Sequence, residues 1–234
     1  GGSTTIMSTP GNPIAYDTED LLISLCNSVT KTLTAATRSQ IHYSGMVQRI
    51  TKTCLKPDIG CFVLFDGGFS GLVVINFTAK TAMELYESYM LNMGMPKEEL
   101  AGSYTSDEVS NAMGELMNQI IGDFTSKIQR ELQTHITQNQ PKMLVLNKQV
   151  QLSVDTNLDN PEARRVTFYT GRDNIFYLEL AIDRTEFIKL YDFEPHAVPN
   201  PDELIEQAHN GHAPATQTNN PPDDNDDLLA ALGM

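Results

Sequence analysis

Apolar residues recur at three- and four-residue steps through residues 105–138: Val109, Met113, Leu116, Met117, Ile120, Phe124, Ile128 and Leu132. That period is the signature of one buried helix face. Thr105 and Glu108 match a capping box, and no proline follows until Pro141, so the pattern predicts a single long helix. Asn111, Glu115, Asn118 and Gly122 form a second stripe stepping by four, three and four. At about 100° per residue its centre lies roughly 150° around the helix from the apolar one. A carboxylate and a carboxamide therefore stand together and point outward. Such a face can mean only solvation, so its significance depends on the rest of the chain.

The same reading predicts a leader over residues 1–15, with Pro10, Gly11 and Pro13, and a helix over 18–37 with Asp17 or Thr18 as cap. Leu22, Cys26, Val29 and Leu33 would form the buried stripe of that helix. Strands follow over 41–55, 61–65 and 71–77, with Asp66-Gly67-Gly68 as a hairpin turn. A helix over 81–92 closes at Gly94 and Pro96, and 97–100 reads as one more helical turn. Beyond the long helix come strands over 143–154, 166–170 and 175–182. Residues 171–174 turn the last pair, 158–162 form a looser turn, and a helical turn is expected over 186–190. Helix, three strands, two helices and three strands again make an α+β chain with a weak internal duplication. Asp20, Ser24 and Asn27 repeat the spacing of Asn111, Glu115 and Asn118 on the first helix, without the Glu.

The composition changes near residue 193. A short helix from Asn200 and a polar, proline-bearing tether to 222 precede an acidic, leucine-rich end: Asp226, Asp227, Leu228, Leu229, Leu232 and Met234. Apolar residues at groove-filling spacing after a polar tether read as a docking peptide over 223–234. The net charge is −14, with seven acidic residues and no Lys or Arg after residue 200. That charge argues against nucleic acid as a partner. No apolar run is long enough to span a bilayer, and residues 1–6 lack the features of a secretory signal, so a cytoplasmic protein is expected. Cys26, Cys54 and Cys61 read as reduced core thiols, and the five histidines show no metal-ligand spacing.

Taken together, Glu115, Asn118 and Pro141, with 22 residues between the last two, resemble the signature of the CheC/CheX/FliY group of bacterial chemotaxis phosphatases. The surrounding Met-Gly-Glu-Leu-Met-Asn-Gln-Ile-Ile-Gly is similar to the CheX version, and the single intact motif also matches CheX. Asn111 departs from the Asp or Ser usual there. The resemblance covers residues 16–192 as a CheX-like domain and implies a long helix with three-stranded antiparallel units in a pseudo-duplicated sheet. The end of the chain is similar to the CheY-docking peptide of CheZ.

The implied partner is a phosphorylated CheY-like response regulator, which supplies its own Mg²⁺ and an activated acyl phosphate. Asn118 would orient the attacking water, and Glu115 would pair with the regulator's Lys. Asn111 and Pro141 would support them, while Gly114 and Gly122 thin the helix surface for close approach. No cofactor of the chain's own is implied. A non-catalytic module that scaffolds a response regulator or a flagellar-switch partner is the alternative. A homodimer is left open.

Overall fold

The computed structural model describes residues 14–154, 158, 161–183 and 187–189, with 14–16 and 187–189 described in backbone only. The leader through residue 13, the short helix near 200, the tether and the peptide at 223–234 lie outside the described residues.

Strand β1 (Ile14–Tyr16) enters helix α1 (Thr18–Thr37). Asp17 accepts from the Asp20 amide while the Asp20 carboxylate accepts from the Asp17 amide, each at 3.0 Å, which satisfies two donors left free by the helix start. Arg38 ends the helix in the left-handed region, with its N–H bonded to the Thr34 carbonyl. The first β block is more finely divided than expected: β2 (His42–Tyr43), β3 (Gln48–Ile50), β4 (Thr53–Leu55), β5 (Ile59–Gly67) and β6 (Gly71–Phe77). Helix α2 (Ala79–Asn92) is capped by the Thr78 hydroxyl, and a 3-10 turn follows at Lys97–Glu99.

Helix α3 (Asp107–Leu132) is shorter at both ends than the periodicity predicts. Thr105 is not its cap. The Thr105 hydroxyl lies 2.7 Å from that of Ser103, the N-cap position belongs to Ser106, and no side chain caps the first turn. Asp107 and Glu108 instead place negative charge at the positive end of the helix dipole. At the other end Gln133 turns left-handed (φ 49°), and residues 136–138 become strand β7 (Ile136–Gln138). The alternation of Ile136 inward with Thr137 outward suits a strand paired to β5, and that pairing outweighs continuation of the helix. A Cβ on Gly67 (φ +146°) would lie 2.0 Å from the His135 carbonyl oxygen, so this turn needs glycine for close approach as well as for its backbone angle.

The second β block comprises β8 (Lys142–Val145), β9 (Leu152–Val154), β10 (Pro161–Tyr169), β11 (Ile175–Asp183) and β12 (Phe187–Lys189). Pro161 begins a strand rather than sitting in a loose turn. The helical turn expected at 186–190 is also corrected: residues 187–189 pair antiparallel with 14–16, so the expected leader ends in a strand.

The duplication is visible in the strand pairing. An eight-stranded antiparallel sheet has β6 and β11 at its centre, with β5 and β10 outside them. The first half's β2 and β3 pair with the second half's β10, and the second half's β7 and β8 pair with the first half's β5. Each half thus completes the other's edge. The three helices cover one sheet face, where Phe65, Phe124, Phe168 and Phe176 pack with the apolar stripes of α1 and α3. The β4–β9 ribbon belongs to a smaller cluster on the opposite face, with Leu55, Leu72, Val74 and Ala181. Cys26, Cys54 and Cys61 are free and buried, as read from the sequence, and burial pushes the Cys26 and Cys61 thiols up to about 12. Among the described residues no helix is long and apolar enough to cross a membrane.

Helices α1 and α3 are also joined by polar contacts. Asp123 accepts from the Ser28 hydroxyl at 2.7 Å and from the Lys31 ammonium at 3.0 Å. Partial burial pushes its carboxyl upward, but these two donors outweigh it and hold the group below the ordinary value. A lowered native value gives stability that is present above the unfolded pKa and lost as pH falls through the native one. Asp123→Ala should therefore cost about 1 kcal/mol in urea unfolding at pH 7, a modest figure because Lys31 is largely exposed. That difference should shrink toward zero below the native carboxyl's pKa, in the acid range.

Candidate functional site

The two stripes read from the sequence are two real faces of α3. Val109, Met113, Leu116, Met117, Ile120, Phe124, Ile128 and Leu132 are all buried. Asn111 and Glu115 are exposed, and Gly114, Asn118 and Gly122 are half-buried. The apolar face is locked into the core, so the outward side chains project from a backbone with little freedom to shift.

Pro141 is brought to the same place. It lies in the short connection between β7 and β8, both of which pair with β5. That connection is pinned by Asn139, whose N–H donates to the Leu64 carbonyl at 3.1 Å and whose side-chain oxygen accepts from the Leu64 amide at 2.9 Å. The result is a groove of about 450 Å³. Asn111, Gly114, Glu115 and Asn118 form one wall with Ser110, and residues 140–144 form the other. Gly114 sits at its narrow part, where a Cβ would come within 3.9 Å of the Met143 side chain. At Gly122 a Cβ would meet nothing within 4 Å, so the chain's own packing does not require glycine there. Gly122 does not line the groove.

The polar groups of the groove are largely unspent. The Glu115 carboxylate receives only one long contact, from the Gln119 amide at 3.4 Å, and among the described residues it has no ion-pair partner. Gln119 also reaches the Tyr89 hydroxyl at 3.4 Å, which links the site to α2. The Asn111 and Asn118 carboxamides bond no other described side chain or backbone group. Carboxylate and carboxamide one turn apart can accept from a cation and hold a water, but they include no strong nucleophile. Among the described residues no group of three or more His, Cys, Asp or Glu side chains is placed to hold a metal ion.

The far wall was missed in the sequence. Gln140, Lys142, Met143 and Leu144 flank Pro141 directly, and the pairing of β8 with β5 brings this stretch beside α3, with Met143, opposite Cys61, on the helix side. Also missed was an apolar cleft of about 380 Å³ on the other side of the Asn111–Glu115 ridge, lined by Tyr86, Tyr89, Met90, Met93 and Met95. The methionines around Gly94 were its available signal. The weak trace on α1 has structural uses instead. Asp20 serves the capping box, Ser24 is buried against α3 with its carbonyl accepting from Lys127, and Asn27 accepts from the Tyr43 hydroxyl at 3.1 Å. The docking residues Asp226, Asp227, Leu228, Leu229, Leu232 and Met234 lie outside the described residues.

The fold has solved relatives. A chemotaxis protein CheX from Desulfovibrio desulfuricans is 16% identical with a TM-score of 0.57, the match covering 70% of this chain and 99% of that one. CheX from Vibrio vulnificus is 13% identical with a TM-score of 0.57, over 70% and 99% of the two chains. A third is a CheX–CheY–BeF3–Mg complex from Borrelia burgdorferi, 15% identical with a TM-score of 0.52, again over 70% and 99%. At these identities the likeness establishes the fold: the chain has the CheX-like α+β architecture that its motif implied. No curated protein matches it. A family model matches residues 12–234, nearly all of the sequence, and the chain belongs to the family described as Protein of unknown function (DUF3334).

Proposed function

We propose that this chain is a phosphatase for the aspartyl phosphate of a CheY-like response regulator, acting by insertion of Glu115 and Asn118 into the regulator's own active site. The observation that carries the reading is the pair itself. A carboxylate without an ion-pair partner and a carboxamide without a hydrogen-bond partner among the described residues stand one turn apart on the outward face of a helix whose other face is buried, beside a groove walled by Pro141. The Borrelia CheX, with the same fold, is one whose structure holds CheY with BeF3 and Mg.

The chemistry follows from what each partner lacks. The regulator's phospho-Asp is an acyl phosphate, and its Mg²⁺ and Lys balance charge on the phosphoryl oxygens. Hydrolysis then needs a water in line with the P–O bond to the Asp carboxylate. The Asn118 carbonyl accepts from that water and orients a lone pair on phosphorus. The P–O bond to Asp breaks, the carboxylate leaves, and inorganic phosphate carries the water's oxygen. Glu115 pairs with the regulator's Lys and sets the register of the helix. Asn111, a turn earlier, borders the entry. The Gly122 surface lets the partner backbone approach beyond the groove. The acidic, leucine-rich segment at 223–234 acts as a tethered docking peptide, raising the local concentration of regulator to millimolar order without entering the chemistry. The reading places the protein in the cytoplasm, with the regulator supplying the Mg²⁺.

The decisive measurement is the lifetime of a phosphorylated regulator with and without this protein. Wild type should shorten it, and Asn118→Ala should remove about a hundredfold of that acceleration while leaving binding nearly intact. An equally long lifetime with both proteins would leave a scaffold that binds without hydrolysing. Glu115→Ala should weaken regulator binding as well as turnover.

Gly122→Ala makes a separate prediction. It should stabilise α3 by up to about 1 kcal/mol in thermal unfolding and yet slow dephosphorylation, because the added methyl stands on the partner-facing surface. Removal of residues 223–234 should raise the Kd for the regulator and leave the turnover of bound regulator unchanged.

A further inference from the structure

The sheet face opposite the helices carries a second polar concavity. Strand register places Gln48, Arg165 and Glu179 in one cross-strand row and Thr167, Tyr177 and Asn76 in the next. Their neighbours Val166, Phe168, Phe176 and Leu178 lie in the helix-facing core, so alternation turns these side chains to the other side. Lys56 follows β4 and closes the rim, with its backbone N–H donating to the Asn76 side-chain oxygen at 2.8 Å. The cavity is about 350 Å³ and is lined by Gln48, Lys56, Asn76, Arg165, Thr167 and Tyr177.

The donors outnumber the acceptors. Glu179 is fully buried and is satisfied by the Arg165 guanidinium and the Cys54 amide, each at 3.3 Å. Arg165 makes no other hydrogen bond to a described residue, and the Lys56 ammonium makes none. The Gln48, Thr167 and Tyr177 side chains are likewise unengaged by described residues. The cavity therefore presents a net positive charge and several free donors in a chain whose net charge is −14.

The duplication shows that several of these strand positions can be apolar in this fold. The β6–β11 pairing is centred on Val74 opposite Glu179. Exchange of the halves about that pair sends Asn76 to Ala181, Tyr177 to Leu72, Arg165 to Phe62 and Thr167 to Leu64. On that half Leu72 and Ala181, with Phe62 beside them, pack in the apolar cluster of the β4–β9 ribbon. The same strand positions thus carry Phe62, Leu64, Leu72 and Ala181 on one half and Arg165, Thr167, Tyr177 and Asn76 on the other, while Gln48 has the polar counterpart Lys142. Asn76 and Glu179 are spent on the backbone at Cys54 and Lys56, but among the described residues no such bond engages the Lys56 ammonium or the Gln48, Thr167 and Tyr177 side chains.

We infer that this cavity binds a small soluble phosphate ester. The Arg165 fork, held by Glu179, and the Lys56 ammonium suit a dianion, and the Thr167 and Tyr177 hydroxyls and Gln48 amide can bond its remaining oxygens. The volume admits a small organic group against the Tyr177 ring. Because the site lies on the other face of the sheet from α3, it is independent of the phosphatase reading.

Calorimetric titration of the full chain with glycerol 3-phosphate, at constant ionic strength, tests this. Saturable binding is expected, with affinity lowered by about tenfold in Lys56→Ala and several-fold in Thr167→Val. The first replaces a side chain without hydrogen-bond partners among the described residues, so the fold should persist. Asn118→Ala should bind as wild type does. Absence of saturable binding, or equal affinity in Lys56→Ala, would overturn the inference. So would co-sedimentation with phosphatidic acid vesicles in the absence of binding to free glycerol 3-phosphate, which would assign the same headgroup chemistry to a membrane.

Discussion

The antiparallel pairing of β6 with β11 is the constraint on which the other elements depend. Every residue of β6 is buried, and seven successive pairs join it to β11. That pairing lies on the axis that relates the two halves. One side of it supplies Val73, Ile75, Phe77, Phe176, Leu178 and Leu180 to the core under the helices, and the other carries the ribbon cluster and the cationic cavity. With the central pair fixed, β5 and β10 take their register, and the crossed pairs of β8 with β5 and β3 with β10 follow. Helices α1 and α3 then have one surface on which to bury their stripes, and α3 has one orientation in which to expose Asn111, Glu115 and Asn118.

What was legible in the chain was what is local. The bounds of α1, its cap at one of Asp17 or Thr18, the apolar stripe of α3 and the turn at residues 171–174 all follow from periodicity, capping and turn chemistry within a few residues. Two of the errors share one physical cause, which is that distant pairing decided the outcome; the third, at the start of α3, is local. Thr134 to Gln138 is compatible with either helix or strand in isolation, and β5 settles it in favour of strand. Residues 187–189 are strand because 14–16 lie beside them. Thr105 and Glu108 fit a capping box by spacing, but the hydroxyl of Thr105 is engaged by Ser103 and the chain enters the helix one residue later.

The candidate site divides in the same way. Glu115 and Asn118 belong to one helix, so their juxtaposition needs no tertiary information. Pro141 does, and its distance along the chain has a geometric meaning. From Asn118 to Leu132 the helix descends about 21 Å at 1.5 Å per residue. After the reversal at Gln133, the path from His135 to Pro141 climbs roughly 20 Å at strand rise. The 22-residue interval therefore returns the chain to the level from which it left, and places the proline beside the carboxamide. The wall beyond it, Lys142 to Leu144, and the methionine-lined cleft toward α2 depend on strand register and helix packing that no local pattern encodes.

The exchange of edge strands has a kinetic side. Neither half can finish its own sheet: β5 waits for strands 69 or more residues later in sequence, and β10 for strands more than 110 earlier. A chain cut between α2 and α3 would leave each piece with open strand edges, the kind of surface that recruits other chains. The two repeats should therefore fold as one cooperative unit, and non-local pairing of this kind belongs to the slow, millisecond-to-second regime. The same interlock that makes folding slow also ties the groove's two walls, one from each side of the reversal, to a single global opening event.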